Sequence, residues 1–262
     1  MSAVPESLPT PAELAVRHGW RTVLAFGAHP DDLDFDASAT LAGLAAAGVR
    51  VELCVVTDGD AGGFDSDGPA AMAARRHAEQ RAAAAVIGAA DVHFLGERDG
   101  HLEPTHEVRR RIVDLMRRVR PDVVLCPHPE RDWESMQASH PDHLACGEAV
   151  VRAAYPAVEN PYAYPELADA GVDAFRIRHL MLYTAPAARR NLTVDVTGLE
   201  DVKLRALDAH VSQHPDAPAM REAVRAKLTR RHREAAGPDA PAGSGEAFHL
   251  VTVNGDGVIA GF

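Results

Sequence analysis

Short apolar runs alternate with helical stretches in the first half of this chain, and this order restricts its fold more than any other feature. Four runs are typical of buried strands, at 22–26, 50–57, 92–95 and 121–128. Helical stretches at 36–48, 72–88 and 105–119 separate them. Strands without polar alternation, separated by helices, are typical of a parallel sheet covered on both faces. We therefore predict an α/β fold with a mostly parallel sheet.

The C-terminal third is less regular. Its first part is rich in proline and tyrosine, and we expect a long ordered loop over about 155–176. Short strands are predicted at 179–184, 192–196 and 247–253, and helices near 198–211 and 217–235. No stretch has the composition of a domain linker, so we predict that 1–262 forms a single domain.

Composition excludes several classes of partner. The net charge is −11, from 27 basic and 38 acidic residues, which disfavours nucleic acid. No run approaches the ~20 apolar residues that cross a bilayer, so we expect no membrane partner. The first 20 residues lack the pattern of a secretory leader, and the cysteines (Cys54, Cys126 and Cys146) resemble buried free thiols. We therefore expect a cytoplasmic protein. The sequence is compatible with either a monomer or a homo-oligomer.

The tripeptide His-Pro-Asp occurs three times, at 29–31, 140–142 and 214–216. The first copy follows the first strand, and ligands of open α/β sheets bind beyond the carboxyl ends of strands. Here His29 is followed by adjacent acids, Asp31 and Asp32. One acid can bind a cation while the other reaches a bound water, which is the division of labour that metal-dependent hydrolysis requires.

The second copy follows the fourth strand and opens a helix, so His140 and His143 share one helix face. One can bind a metal while the other faces a substrate, provided that the first and fourth strands are neighbours. His128, at the end of the fourth strand, is either a rival ligand or a loop histidine. The third copy has no second acid or histidine beside it, and we interpret it as a turn between two helices.

At these residues the chain resembles the PIG-L/LmbE-like family of zinc-dependent N-acetylglucosaminyl deacetylases. The resemblance rests on five stretches: "AHPDD" after the first strand, "TDGDAGG" after the second, residues 75–100, "HPDH" at 140–143 and residues 204–213. It implies a Rossmann-like fold with helices on both faces of the sheet. It also implies one Zn²⁺ per chain, or another divalent metal, with His29, Asp32 and His143 matching the family's zinc ligands.

The resemblance further implies roles for five residues. Asp31 matches the general base, His140 the electrophilic or acid residue, and Asp142 a residue that orients a histidine. Arg76 and Asp99 lie where related enzymes hold sugar hydroxyls. Two structural alternatives to sugar binding are equally open. Arg76 could form an ion pair on the protein surface, and Asp99 could simply be part of a turn.

One departure concerns the residues after the paired acids. Many relatives carry Glu directly after them or one residue later, whereas this chain has Leu33 and Asp34. We expect Asp34 to take the supporting role of that Glu, with a side chain that is one methylene shorter. The tyrosines of the expected loop, Tyr155, Tyr162 and Tyr164, either stack on a sugar face or pack against their own domain.

The predicted activity is removal of an N-acyl group, most simply N-acetyl, from a small amino sugar or its conjugate. Asp31 takes a proton from water, and zinc with protonated His140 stabilises the oxyanion. Alternatives within the family are an amidase for a thiol-sugar conjugate or an antibiotic precursor. More distant alternatives are a sugar-binding module with structural zinc and a non-haem iron(II) oxygenase, which shares a two-histidine, one-carboxylate ligand set.

Overall fold

Within residues 7–63 and 68–255, which the computed structural model describes, seven strands form one sheet in the order β3-β2-β1-β4-β5-β7-β6. The strands are β1 Thr22–Gly27, β2 Arg50–Thr57, β3 Asp91–Glu97, β4 Val123–Pro127, β5 His179–Tyr183, β6 Leu192–Asp195 and β7 Gly245–Thr252. β1 to β5 run parallel to one another, whereas β7 is antiparallel to β5 and β6. The mostly parallel sheet predicted from the sequence is confirmed.

The helices cover both faces of this sheet. They are α1 Pro11–His18, α2 Asp32–Asp36, α3 Ser38–Ala46, α4 Pro69–Ile87, α5 His106–Val119, α6 Pro141–Arg152, α7 Pro165–Asp169, α8 Glu200–Asp208 and α9 Ala217–Ala236. α5 begins where predicted, because the Thr105 side chain accepts a hydrogen bond from the backbone N–H of Val108 at 3.2 Å. No helix in the described part of the chain is both long and apolar enough to cross a membrane.

Two expected boundaries differ from the structure. The helix expected at 36–48 is α3, which spans Ser38–Ala46, and a separate short helix, α2, begins at Asp32, directly after the first His-Pro-Asp motif. The loop expected over about 155–176 overlaps at its start with a π-helical turn at Ala153–Ala157 and contains the short helix α7. Proline opens α7 at its first position, where its missing N–H removes no intrahelical hydrogen bond.

The central strand β1 is buried on both faces. Val23 and Ala25 belong to one core cluster and Leu24 and Phe26 to the other, as expected for alternate residues of a strand. The three cysteines are buried and free, as predicted. β1 pairs directly with β4, with Val23 opposite Val123, so the segments that leave these two strands start side by side.

Candidate metal centre

The loop after β1 and the start of α6 meet at the carboxyl edge of the sheet. This meeting brings His29 and Asp32 next to His143. His29 Nδ1 lies 3.3 Å from His143 Nε2, and His143 Nε2 lies 3.1 Å from Asp32 Oδ1. His29 Nδ1 lies 3.6 Å from Asp32 Oδ2. Donor atoms of the three predicted ligands therefore face one another.

The other ring nitrogen of each histidine is already engaged. His143 Nδ1 lies 3.4 Å from the carbonyl oxygen of Ala138. His29 Nε2 lies 3.2 Å from Asp142 Oδ2 and 3.1 Å from Asp99 Oδ1. Because these partners are acceptors, the proton of each neutral ring belongs on the engaged nitrogen. In the neutral rings, His29 Nδ1 and His143 Nε2 are therefore the nitrogens that are free to bind a metal ion.

A metal ion bound here would replace the protons on these two ring nitrogens, because only a deprotonated ring nitrogen can ligate a metal. Tetrahedral zinc, with bonds of about 2.0–2.2 Å to imidazole nitrogen and carboxylate oxygen, separates its ligand atoms by about 3.3–3.6 Å. The two histidine nitrogens are 3.3 Å apart, and each lies near a different oxygen of Asp32: His143 Nε2 is 3.1 Å from Oδ1 and His29 Nδ1 is 3.6 Å from Oδ2. Residues His29, Asp32 and His143 therefore fit a divalent metal ion in both chemistry and spacing.

The electrostatics of the three residues also favour a cation. Asp32 Oδ2 accepts hydrogen bonds from the backbone N–H groups of Ala28 and His29, at 2.8 and 2.9 Å, which fix the carboxylate. Burial alone would lower the pKa of His29, but Asp32 and Asp142 raise it to about 12. Asp32 likewise raises the pKa of His143 to about 9 against the effect of burial. Positive charge is therefore stabilised at this point.

Asp31 lies beside these residues but is not one of the three facing donors. Its φ is 103°, a left-handed conformation that is uncommon for a residue with a side chain and that concentrates at functional sites. Burial raises the pKa of the Asp31 carboxyl to about 6, although Arg76, at 3.3 Å, lowers it. A carboxylate with such a pKa is suited to accept a proton near neutral pH.

Arg76 lies inside the protein rather than on its surface, with 4% of the residue exposed. Its guanidinium donates to the carbonyl oxygens of Gly59 and Pro30 and lies between Asp31 and Asp99, at 3.3 and 3.8 Å. The alternative of a surface ion pair is therefore wrong. Arg76 links the acid predicted to be the base to the acid predicted to bind sugar.

Asp99 and Asp142 surround the far side of the His29 ring. Asp99 lies in a turn with Gly100, whose φ is 78°. A turn at this residue was one of the two interpretations of the sequence. Asp142 is 1% exposed; its Oδ2 accepts the backbone N–H of Gly100 at 2.7 Å besides contacting His29. Carboxylates that hold the second nitrogen of a ligand histidine fix its tautomer and increase its basicity, so Asp142 is placed to orient His29.

His140 is the most exposed of the three histidines. Its ring centroid lies 5.0 Å from that of His29 and 5.5 Å from that of His143. His140 Nδ1 accepts the backbone N–H of Asp142 at 3.2 Å, so this nitrogen carries a lone pair and the proton lies on Nε2. Burial and the neighbouring charges on His29 and His143 lower the pKa of His140. The structure favours a neutral His140, whereas the sequence argument assumed a protonated one.

A buried hydrogen-bonded network that the sequence analysis did not identify supports Asp31. Gln80 Oε1 accepts the backbone N–H of Asp31 at 2.9 Å, and Gln80 Nε2 donates to Asp34 Oδ2 at 3.0 Å. His210 Nε2 lies 2.9 Å from the same oxygen, and neither the His210 nor the Asp34 side chain is exposed. Asp34 thus acts on the backbone of Asp31 rather than on the ligand atoms. Gln80 and His210 both lie in stretches that carry the family resemblance, which is the signal that could have found them.

The remaining candidates lie apart from the metal centre. His128 Nε2 lies 3.1 Å from His249 Nδ1, and Glu130 donates its backbone N–H to His128 Nδ1, so both ring nitrogens of His128 have partners elsewhere. The third His-Pro-Asp lies in the turn between α8 and α9, as predicted, and Asp216 caps α9. Tyr164 is buried, and its hydroxyl accepts from Arg109 Nε at 2.9 Å, in agreement with packing against its own domain.

Comparisons with known proteins agree with this geometry. A family model described as GlcNAc-PI de-N-acetylase (PIG-L) matches residues 24–154, from β1 to α6. The diacetylchitobiose deacetylase of Thermococcus kodakarensis is 32% identical over 197 residues, 75% of this chain and 71% of the relative. A 1D-myo-inositol 2-acetamido-2-deoxy-alpha-D-glucopyranoside deacetylase of Kineococcus radiotolerans is 33% identical over 55% of this chain and 48% of the relative.

Among solved structures, the N,N'-diacetylchitobiose deacetylase from Pyrococcus horikoshii has a TM-score of 0.80 with this chain at 27% sequence identity. The match covers 89% of this chain and 84% of that one. The shared architecture therefore extends beyond the segment that the family model matches, into the C-terminal third.

Proposed function

Because this chain belongs to the PIG-L family of de-N-acetylases, we propose that it hydrolyses the N-acyl group of an amino sugar or amino-sugar conjugate, most simply an N-acetyl group. The observation that carries this proposal is the convergence of His29 Nδ1 and His143 Nε2, 3.3 Å apart, on the carboxylate of Asp32. Asp31, a carboxylate outside this donor set, is available for proton transfer. A site built only to hold a structural metal has no use for it.

His29, Asp32 and His143 would hold one divalent metal ion, and the donor set suits Zn²⁺. Zinc in this position supplies Lewis-acid chemistry, since it lowers the pKa of a water molecule and polarises an amide carbonyl. Asp142 and the carbonyl of Ala138 keep the two histidines in the tautomers that binding needs.

Asp31 is the proposed general base. Its carboxylate takes a proton from the attacking water as the new C–O bond forms at the amide carbon. The same carboxyl then returns a proton to the nitrogen as the C–N bond breaks. The products are a carboxylate, acetate in the simplest case, and a free amine. Arg76 holds Asp31 in place and keeps it ionised at neutral pH.

His140 is proposed to act as a neutral hydrogen-bond donor. With Nδ1 occupied by the backbone N–H of Asp142, the Nε2–H can point to the oxygen that becomes negative in the transition state. Donors aimed at developing charge contribute a large part of catalysis in acyl transfer. This assignment replaces the imidazolium of the sequence argument, because a protonated ring has no lone pair for that N–H to bind.

Asp99 is the proposed contact for a sugar hydroxyl. One of its oxygens lies 3.1 Å from His29 Nε2, and the carboxylate retains further acceptor capacity for a substrate O–H. The guanidinium of Arg76 is largely engaged inside the protein, so we propose that Arg76 acts on the sugar through Asp99.

An amine-release assay tests the proposal. N-Acetylglucosamine and N,N'-diacetylchitobiose are incubated with zinc-loaded protein, with and without a chelator. We expect primary amine and acetate in equal amounts, lost with the chelator and restored by Zn²⁺. Equal release before and after complete metal removal would refute the metal-dependent mechanism. Absence of acetate from both sugars, with the metal bound, would refute deacetylation of these two simple amino sugars and leave only larger conjugates or other acyl groups as substrates.

A further inference from the structure

A second group of metal-ligating side chains lies at the opposite edge of the sheet from the candidate metal centre. Glu52 lies near the start of β2, and Asp91 and His93 lie at the start of β3. One donor atom of each residue lies within 4.8 Å of the other two. β3 is an edge strand of the sheet, and the side chains of Asp91 and His93 are 61% and 28% exposed. Ions in solution can therefore reach this group.

The pairing of the two strands places the three side chains on one face of the sheet. Asp91 lies directly opposite Glu52, and His93 lies opposite Cys54, two residues further along each strand. Alternate residues of a strand point to the same side, so Glu52, Asp91 and His93 project together. Their arrangement is thus fixed by the backbone of β2 and β3 and does not depend on a loop.

The charges of this group are not balanced. Two carboxylates at facing positions repel each other. Glu52 has two basic neighbours, since His93 Nε2 lies 2.8 Å from its Oε2 and Arg50 lies 2.7 Å from its Oε1. For Asp91, the only basic group within 4.0 Å among the described residues is the same nitrogen of His93, at 4.0 Å. One arginine therefore faces two carboxylates, and negative charge remains beside an imidazole.

Glu52 is the buried member of the group. Its side chain is 3% exposed, and its Oε1 makes no hydrogen bond of normal geometry, although Arg50 lies close to it. A buried carboxylate is costly unless it is paired and hydrogen-bonded or coordinates a metal. The incomplete hydrogen bonding of Glu52 is the second observation that favours a cation here.

We propose that Glu52, Asp91 and His93 form a second site for a divalent transition-metal ion such as Zn²⁺, Co²⁺ or Ni²⁺. One imidazole nitrogen and two carboxylate oxygens suit these ions. The ion replaces the proton on His93 Nε2, as ligation requires. The 4.0 Å between His93 and Asp91 exceeds the about 3.3–3.6 Å that separates zinc ligands, and rotation of the exposed Asp91 side chain closes this difference.

The proposed ion joins the edge strand β3 to β2. It should stabilise the protein, because a ligand that binds only the folded state shifts the unfolding equilibrium. Arg50 competes for Glu52, and Asp91 is exposed, so we expect dialysis against metal-free buffer to remove this ion. The ion held by His29, Asp32 and His143 should stay.

Calorimetric titration of dialysed, zinc-loaded protein with Zn²⁺ tests the second site. The wild type should bind one further equivalent, with a rise in its unfolding temperature. His93→Ala and Asp91→Asn should each weaken this binding by about 10-fold or more, and Arg50→Gln should strengthen it by about 10-fold, because a competing charge is removed. Asp201→Asn is the control, since Asp201 is an exposed acid that pairs with Arg225 at 2.9 Å on another part of the surface.

Asp91→Asn changes an exposed side chain, so it tests the site even if His93→Ala fails to fold. Its kcat/KM should stay close to wild type, because the second site lies away from the candidate metal centre. Absence of a further equivalent in the wild type would overturn the inference and leave deacetylation intact. A further equivalent that Asp91→Asn binds as tightly as Asp201→Asn, or that Arg50→Gln binds no more tightly, belongs to other surface groups and would also overturn it.

Discussion

Gln80 Oε1 accepts the backbone N–H of Asp31 at 2.9 Å, and this contact joins helix α4 to the residue proposed as the general base. Asp31 has φ 103°, a conformation that costs of order 1–3 kcal/mol and persists only when surrounding contacts enforce it. Gln80 Nε2 donates to Asp34 Oδ2, and His210 Nε2 contacts the same oxygen, so Asp34 and His210 help to hold Gln80 in place. The position of the base is therefore set by residues that touch neither metal nor substrate.

Gln80→Met should lower kcat by about 10-fold, because it removes the acceptor that holds the Asp31 backbone. KM and zinc content should stay close to wild type, since the metal ligands and Asp99 do not contact Gln80. Gln80→Glu keeps an acceptor for the Asp31 N–H but places a second carboxylate next to Asp34. We therefore expect it to retain only part of the kcat that Gln80→Met loses, although Glu has nearly the shape of Gln. Steady-state kinetics with metal analysis checks this; a parallel loss of zinc would show that Gln80 acts on the metal site instead.

Asp31→Asn should lower kcat by about 10²–10⁴, the range expected when a general base is removed. The protein should still bind zinc, because Asp31 is not among the three facing donors. Asp58→Asn is a matched control, since Asp58 pairs with His77 at 3.0 Å rather than with Arg76. Near-normal turnover in Asp31→Asn would eliminate this residue as the base.

His143→Ala should abolish stoichiometric zinc binding and, with it, activity. His128→Ala should retain zinc, because His128 pairs with His249 at 3.1 Å although it lies at the same edge of the sheet. Metal content after dialysis, measured by mass spectrometry, compares the two variants directly. One zinc per chain in His143→Ala would contradict the ligand assignment.

The pH dependence of kcat/KM should show an acid limb. Asp31 must be ionised to accept a proton, and burial raises the pKa of its carboxyl to about 6. Activity should therefore fall as the pH drops through about 6 or, with the metal cation nearby, through a lower value. Arg76→Met removes the positive charge that lowers this pKa, so its acid limb should move about one pH unit or more upward. An unchanged limb would show that another group controls it.

Lys203 and Glu246 form a buried ion pair, with side chains 1% and 2% exposed and a separation of 2.7 Å. Lys203→Met should cost about 3–5 kcal/mol of unfolding free energy, because it leaves the Glu246 charge buried without its partner. The double variant Lys203→Met/Glu246→Gln should recover part of that loss. Urea unfolding measures both, with Arg225→Gln as an exposed-pair control that should change stability by about 1 kcal/mol or less. A small loss of unfolding free energy in Lys203→Met would mean that Glu246 is protonated or hydrated.

Local sequence patterns were sufficient for the parallel part of the sheet and for the two motifs that meet at its carboxyl edge, whereas the choice of metal ligands among their residues rested on the family resemblance. Apolar runs such as 22–26 and 50–57 can be recognised as strands without knowing which strands pair with them. A strand that is buried on both faces cannot carry polar residues at regular positions. The motif around His29 and the one around His140 were recognisable because each follows a predicted strand, where ligands of such sheets bind. The π-helical turn at Ala153–Ala157 and the short helix α7 were missed, since the prolines and tyrosines of this region suggested a loop.

The sequence by itself determined the order of the seven strands and the presence of histidines and acids after the first and fourth of them, since both follow from residue type and spacing along the chain; the choice of His29, Asp32 and His143 as ligands came from the family resemblance. Only the tertiary structure decided that β1 and β4 are neighbours, that Arg76 lies inside the protein, and that Gln80 and His210 converge on Asp34. The reason is physical: hydrogen bonds between residues 46 or 176 positions apart depend on how helices pack, and no local periodicity encodes that packing.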